Sequence, residues 1–329
     1  MPSNPKATKA WLGVDLGGTK ILAAAFDDNL ERISRTKTAA RADEGAEAVV
    51  DRIAAAANEA VGKAGLEWSR IKGVGVGAPS PIEEKSGKVI FAPNLGWRDL
   101  PLQDWLGQRL ESPVFVGNDC SLATLGIHEV EFESKPRHLL GIFPGTGIGG
   151  GLIINRELIT GATGSTGELG QMTLDYGGPK GADNIPGSLE SMAGRASLAD
   201  RIRRAVAKGQ STLLTKIADA DLKEIKSGHL RKAIRRGDTF VENLVREAAE
   251  RIGAAIGSLI NIVNPEVIVL GGGMVEQLED LILPTIKSKV EEYTDPGVRK
   301  GIKIVASKLA DDAGIVGAAV FARRSMQNK

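Results

Sequence analysis

The segment LGVDLGGTKILAA at 12–24 has a counterpart in LGIFPGTGIGGGL at 140–152. In both, Leu-Gly-apolar runs into a glycine-rich turn and an apolar strand leaves it. Self-similarity of this kind implies two lobes built on one plan, each opened by a tight turn where the main chain can come close to a ligand. The length of 329 residues agrees, being about twice that of a typical domain. The 41 glycines cluster at 13–18, 73–77, 145–151, 161–170 and 271–273, the pattern of ligand-facing turns and not of a flexible linker.

Around these turns, strands and helices alternate. AWLGVDLGG and KILAAAFD read as two short strands joined by the first turn, ISRTKTAA continues the sheet, and IKGVGVGAP and PVFVGND are further strands. Residues 44–63 carry Val49, Ile53, Ala56, Ala57 and Val61 at helical spacing. From Asp238 to Asn264 a longer helical face runs from Val241 to Val263, ends at NPE and leads into the strand VIVLGGG. The alternation predicts an α/β protein. Charge is balanced, with 42 Lys+Arg against 41 Asp+Glu, so no nucleic-acid or membrane-surface partner is expected. The most apolar stretch, GAAIGSLINIVNPEVIVLGGG, is broken by Asn261, Asn264, Pro265 and Glu266, which are costly in a bilayer. Cys120 is the only cysteine, which excludes an internal disulfide and a thiolate zinc cage. MPSNPKATKA lacks the apolar core of a secretory signal, and with the lone cysteine this predicts a cytoplasmic protein.

Gly145, Gly147 and Gly150 match G-x-G-x-x-G, but the dinucleotide fold needs a helix after the turn, and GLIIN reads as a strand. Gly18-Thr19-Lys20 has the wrong order for a P-loop. Two strand-turn-strand phosphate loops remain, one of Gly17, Gly18, Thr19 and Lys20 and one of Gly145, Thr146 and Gly147. Their amides and hydroxyls would face phosphate oxygens. Asp15 ends the first strand where the second repeat has Phe143, and one carboxylate among phosphate donors suits Mg²⁺. The plainer reading makes both loops simple hairpins with glycine at positive φ.

LGVDLGGTK, GVGVGAPSPIE, FAPNLGW, PVFVGNDCSLATLGIHE, GIFPGTGIGGGLI, TGELGQ, NPEVIVLGGG and DDAGIVGAA, in this order from about residue 10 to 322, resemble the ROK family of sugar kinases and sugar-responsive repressors. The resemblance implies a two-lobed, actin-like ATPase (ribonuclease H-like) α/β fold. A small lobe would comprise 1–119 plus about 313–329 and a large lobe 120–312, with nucleotide and sugar meeting in the cleft. It implies ATP- and Mg²⁺-dependent phosphorylation of a hexose at its 6-hydroxyl, glucose first, by a homodimer. Asp119 would be the general base and Asn118 a hydroxyl-binding partner. Asn94, Glu168, Gln171 and Glu190 would complete the sugar site, and Gly271, Gly272 and Gly273 the adenosine side.

Simpler roles are available for several of these residues. Asp119 can cap the helix SLATLGIHEV, Glu168 can be a solvated loop residue, and Glu190 can sit in the first turn of a helix. His128, His138 and His229 match no family position and read as structural or exposed. A second reading makes the chain a sugar-sensing regulator. The dozen or so residues before Gly13 predict no helix-turn-helix module. A third reading is a sugar-binding protein without turnover.

Related kinases carry E-x-G-H followed by C-x-C-G-x-x-G-C around a structural zinc. Here Gln171 takes the histidine position, and Gly181, Asp183 and Ser188 take cysteine positions. Glutamine is a poor zinc ligand, and no Cys or His lies between Glu168 and Glu190. Order in 172–189 is therefore expected from Gln171 hydrogen bonds and from Pro179 and Pro186. Elemental analysis of the purified protein is expected to find no stoichiometric zinc, and one zinc per chain would overturn this reading.

Overall fold

The first glycine turn joins β1 (Ala10–Leu16) to β2 (Lys20–Asp27), antiparallel from Ala10 opposite Asp27 to Leu16 opposite Ile21. In the computed structural model, which describes residues 9–79, 81–181, 184–219 and 221–327, the chain continues through β3 (Thr36–Ala39), α1 (Ala46–Lys63) and β4 (Ile71–Ala78). A short meander follows, made of β5 (Ile82–Glu83), β6 (Lys88–Ala92) and β7 (Trp97–Leu100), and then α2 (Leu102–Gly107), β8 (Val114–Asn118) and α3 (Asp119–Val130). Asp183 lies outside the described residues.

The second glycine turn lies between β9 (Leu139–Pro144) and β10 (Ile148–Ile154), followed by β11 (Glu157–Leu158). Four helices come next: α4 (Leu189–Ala193), α5 (Arg195–Ala207), α6 (Leu214–Ile217) and α7 (Ser227–Arg235). The remainder is α8 (Thr239–Val263), β12 (Val267–Leu270), α9 (Gly273–Tyr293), β13 (Lys303–Ala306) and α10 (Asp312–Gln327). Helix α8 has the ends that its sequence announces. Asp238 accepts the Val241 amide at 3.1 Å, and Asn264 stops the helix at φ 49°, ahead of Pro265.

The first sheet has the order β3-β2-β1-β4-β8 and the second β11-β10-β9-β12-β13. In each, a leading strand is followed by parallel neighbours, β1-β4-β8 in one and β9-β12-β13 in the other. Numbered within its own half, each sheet reads 3-2-1-4-5, so the sequence repeat is a repeat of topology. By its contacts the chain divides into two compact units, and Gly151–Gly167, which carries β11, belongs to the first. One comprises Met1–Arg137, Gly151–Gly167 and Asp311–Lys329, the other His138–Gly150 and Glu168–Ala310. Among the described residues no helix is long and apolar enough to cross a membrane.

In the first unit, α1 buries Val49, Val50, Ile53, Ala57 and Ala60 in a core shared with Leu12, Val14, Ile21 and Val74. On α10 the packing is closer, backbone against backbone. A Cβ on Gly13 would meet the Ile315 carbonyl oxygen at 1.8 Å, and one on Gly75 would meet that of Ala318 at 1.8 Å. Gly317 of α10 lies equally close to the Leu122 carbonyl of α3. This places α3 in the first unit.

Such contacts cannot relax by turning a side chain, because the clashing atom is main chain. Gly75→Ala should therefore destabilise the protein by about 1–3 kcal/mol or more, the range for overpacking a core. Gly62→Ala, in α1 with nothing within 4 Å of the new Cβ, should stabilise it by about 0.5–1 kcal/mol. Urea midpoints measure both, and equal midpoints for the two variants would sink this packing account.

Candidate active site

In the first unit, Asp15 is the penultimate residue of β1 and Asp119 the first of α3, immediately after β8. Strand β4 runs between β1 and β8 and places Gly77 opposite Asp15. A Cβ on Gly77 would lie 3.3 Å from the Asp119 Cα, so glycine there keeps the space between the two acids clear of a side chain. The helix cap falls one residue earlier than the simpler sequence reading placed it. Asn118 Oδ1 accepts the Ser121 amide at 3.0 Å, while Asp119 Oδ1 accepts the amide of its neighbour Cys120 at 2.7 Å.

Both acids keep a solvent-facing edge but lose most of their hydration to surrounding protein. Desolvation, with the Asp119 charge second, pushes the Asp15 carboxyl up to about 7, against the pull of Lys20. Desolvation also raises Asp119, with hydrogen bonds from Cys120 the main opposing influence. Lys20, expected to face phosphate, donates to Asp311 Oδ1 at 2.5 Å. Gly18 lies beneath Asn94, whose Cβ would be 3.5 Å from a Cβ at that glycine, on the turn between β6 and β7. The Gly17 amide closes the turn onto the Lys20 carbonyl at 2.9 Å. Among the described residues the Gly18 and Thr19 amides meet no acceptor.

In the second unit, the Gly145 amide likewise closes its turn, onto the Gly147 carbonyl at 2.8 Å. The Gly145 and Thr146 carbonyls accept the first two amides of α5, from Arg195 at 3.1 Å and Ala196 at 3.0 Å. Glu190 Oε2 accepts the Ile148 amide at 2.8 Å, and a Cβ on Gly147 would lie 2.0 Å from that oxygen. Glu190 Cβ would also be 3.2 Å from a Cβ on Gly170, so the loop, Glu190 and the 168–171 turn form one cluster. Gln171 Nε2 donates to Glu168 Oε2 at 3.0 Å. Gly271 packs under the Phe143 ring and Gly272, at φ 79°, against the Pro144 carbonyl, which brings the expected adenosine-side turn beside the second glycine loop.

Segment 172–189 folds back on itself through backbone bonds: Leu174 to Gly187 at 2.8 Å, Gly187 to Pro179 at 2.8 Å and Leu189 to Met172 at 2.8 Å. His128 is fully buried, with Nε2 against the Pro136 carbonyl at 2.8 Å, and His229 Nδ1 accepts the Lys226 amide.

Two site residues escaped the sequence reading. Asp311 lies in DDAGIVGAA, where the doubled acid was a usable signal. Arg195 reaches its loop partner 49 positions away, with no local pattern to announce it.

The sequence profile described as "ROK family" matches residues 11–325. A glucokinase of Thermotoga maritima is 31% identical over 309 residues, covering 94% of this chain and 95% of that protein. A putative xylose repressor of Caldicellulosiruptor sp. is 28% identical, covering 93% of this chain and 76% of its own length. Among solved structures, a ROK family glucokinase from Streptomyces griseus in complex with glucose and AMPPNP superposes with TM-score 0.84 at 31% identity, over 96% of this chain and 99% of that one.

The raised Asp15 carboxyl has a measurable cost. Its folded pKa of about 7 lies above the ordinary 3.8, so the folded state holds the proton where the unfolded state releases it. Stability therefore falls as pH rises from about 4 to about 7 and levels off above. Asp15→Asn removes this loss, and its thermal midpoint, measured without metal or nucleotide, should gain on the wild type across that window. A difference that stays constant with pH would overturn the placement of Asp15.

Proposed function

From the premise that the chain belongs to the ROK family, with its actin-like ATPase fold, we propose that it is an ATP-dependent hexose kinase. It phosphorylates the 6-hydroxyl of a sugar, glucose first among candidates. The observation that carries this reading is the pair of crowded, desolvated carboxylates, Asp15 and Asp119, in a unit whose Gly18 and Thr19 amides meet no acceptor among the described residues. A phosphoryl transfer to an alcohol asks for a base, anion-binding donors and a cation, and these residues are suited to all three.

In this reading Asp119, oriented by the Cys120 amide, accepts the proton of the attacking hydroxyl, and its raised pKa makes it the stronger base. The amides of Gly18, Thr19, Thr146 and Gly147 and the two threonine hydroxyls donate to phosphate oxygens. The Gly271–Gly273 turn receives the adenosine. Asn94, Asn118, Glu168, Gln171 and Glu190 pair with sugar hydroxyls, so an analogue lacking one leaves a polar group unpaired and is rejected. Asp15 fits Mg²⁺, directly or through water, because Lys20, whose charge acts on Asp15, is already engaged by Asp311. A bound Mg²⁺ withdraws charge from the phosphate oxygens.

A sugar-sensing protein without turnover is the second reading, favoured by the match to the putative xylose repressor over 93% of this chain. A hexose panel in a coupled ADP-release assay separates the two: sugar binding without turnover on any hexose would establish the sensor. With turnover present, Asp119→Asn should retain sugar binding and lower kcat by ~10²–10⁴-fold. Near-full kcat in that variant would make Asp119 a structural residue and remove it as the base.

A further inference from the structure

Behind the second phosphate loop lies a guanidinium with no part in the steps above. Arg195 donates from Nη2 to Thr146 Oγ1 at 2.5 Å and from Nη1 to the Ile225 carbonyl at 2.5 Å. Its own amide holds the Gly145 carbonyl at 3.1 Å, so one residue grips the loop by main chain and by side chain. Among the described residues no carboxylate lies within ion-pair distance of Arg195. Burial pulls its pKa below the ordinary value, with Glu224 a more distant opposing charge.

The Thr146 hydroxyl has one proton and two lone pairs. With a lone pair taken by a cationic donor, its proton is turned away from Arg195, polarised and available to an anion. Thr146 itself is exposed, and its amide and that of Gly147 meet no acceptor among the described residues. Arginine suits this task because its planar fork reaches two separate acceptors at once, which a lysine ammonium on a flexible stem does not reproduce.

Resting on the kinase reading, we propose that Arg195 is a positioning residue of the phosphate loop, which fixes the Thr146 hydroxyl as a donor to the terminal phosphates of the donor nucleotide. It acts through Thr146, so the two residues form one functional unit. Removing either partner should then cost as much as removing both.

The test is calorimetric titration of the full chain with AMPPNP and Mg²⁺, using wild type, Arg195→Met, Arg195→Lys, Thr146→Val and the Arg195→Met/Thr146→Val double variant. Thermal midpoints and glucose affinity are measured alongside. Each single variant should weaken nucleotide binding roughly tenfold, and the double variant no further. Glucose affinity should stay within about twofold, and Arg195→Lys should recover the thermal midpoint but not the nucleotide affinity. Additive losses in the double variant, or wild-type affinity in Arg195→Met, would overturn the proposal. If Arg195→Met does not fold, Arg195→Lys with and without Thr146→Val carries the same comparison. Binding of the analogue needs no turnover, so the two proposals can fail separately. A protein that binds it in this Arg195-dependent way yet phosphorylates no hexose overturns the kinase reading alone, and a wild type that binds no nucleotide overturns both.

Discussion

Helix α10 lies so close to β1, β4 and α3 that carbonyl oxygens stand where side chains of Gly13, Gly75 and Gly317 would begin, each within 1.8 Å of an added Cβ. Interiors packed this tightly transmit position faithfully, because no side chain is available to absorb a shift. The consequences reach the candidate catalytic residues of the first unit. Gly314 of α10 sits against the Asp15 carboxylate, Asp311 just before the helix holds Lys20, and Arg35 and Arg32 secure its first residue, Asp312. A helix from the end of the chain therefore sets the surroundings of an aspartate near its beginning.

The electrostatics of each unit are lopsided in a way that folding alone does not favour. In the first, Asp15, Asp119 and Asp311 accumulate around one lysine, and the Asp15 carboxyl is driven up to about 7 by desolvation and like charge. In the second, loop amides that meet no acceptor and an Arg195 guanidinium that meets no carboxylate among the described residues gather around Gly145–Gly147. Groups left short of counter-charge in this way mark places where a ligand completes the arrangement. In the first unit the imbalance lies in clustered carboxylates, and in the second it lies in donors around a glycine loop.

The repeat of glycine turns was legible from the spacing of Gly17-Gly18 and Gly145-x-Gly147 after matching apolar strands, and Asp15, Asp119 and Glu168 were legible because they lie in the motifs LGVDLGGTK, PVFVGNDCS and TGELGQ. The cap falls on Asn118 and not on the alternative Asp119, since both are good caps and the choice depends on where β8 stops. The three-stranded meander that carries Asn94 left only a weak signal, its strands being two to five residues long.

Sequence by itself determined the α/β alternation, the duplication of the glycine turns and the placing of Asp15 and Asp119 at strand ends, because these follow from local spacing. Tertiary structure decided which groups are short of a partner. That Lys20 is spent on Asp311, that Glu190 holds the Ile148 amide, and that Arg195 supports Thr146 are all long-range pairings. Whether a polar group is satisfied depends on what the fold brings within about 3 Å of it. Local sequence carries no record of that distance.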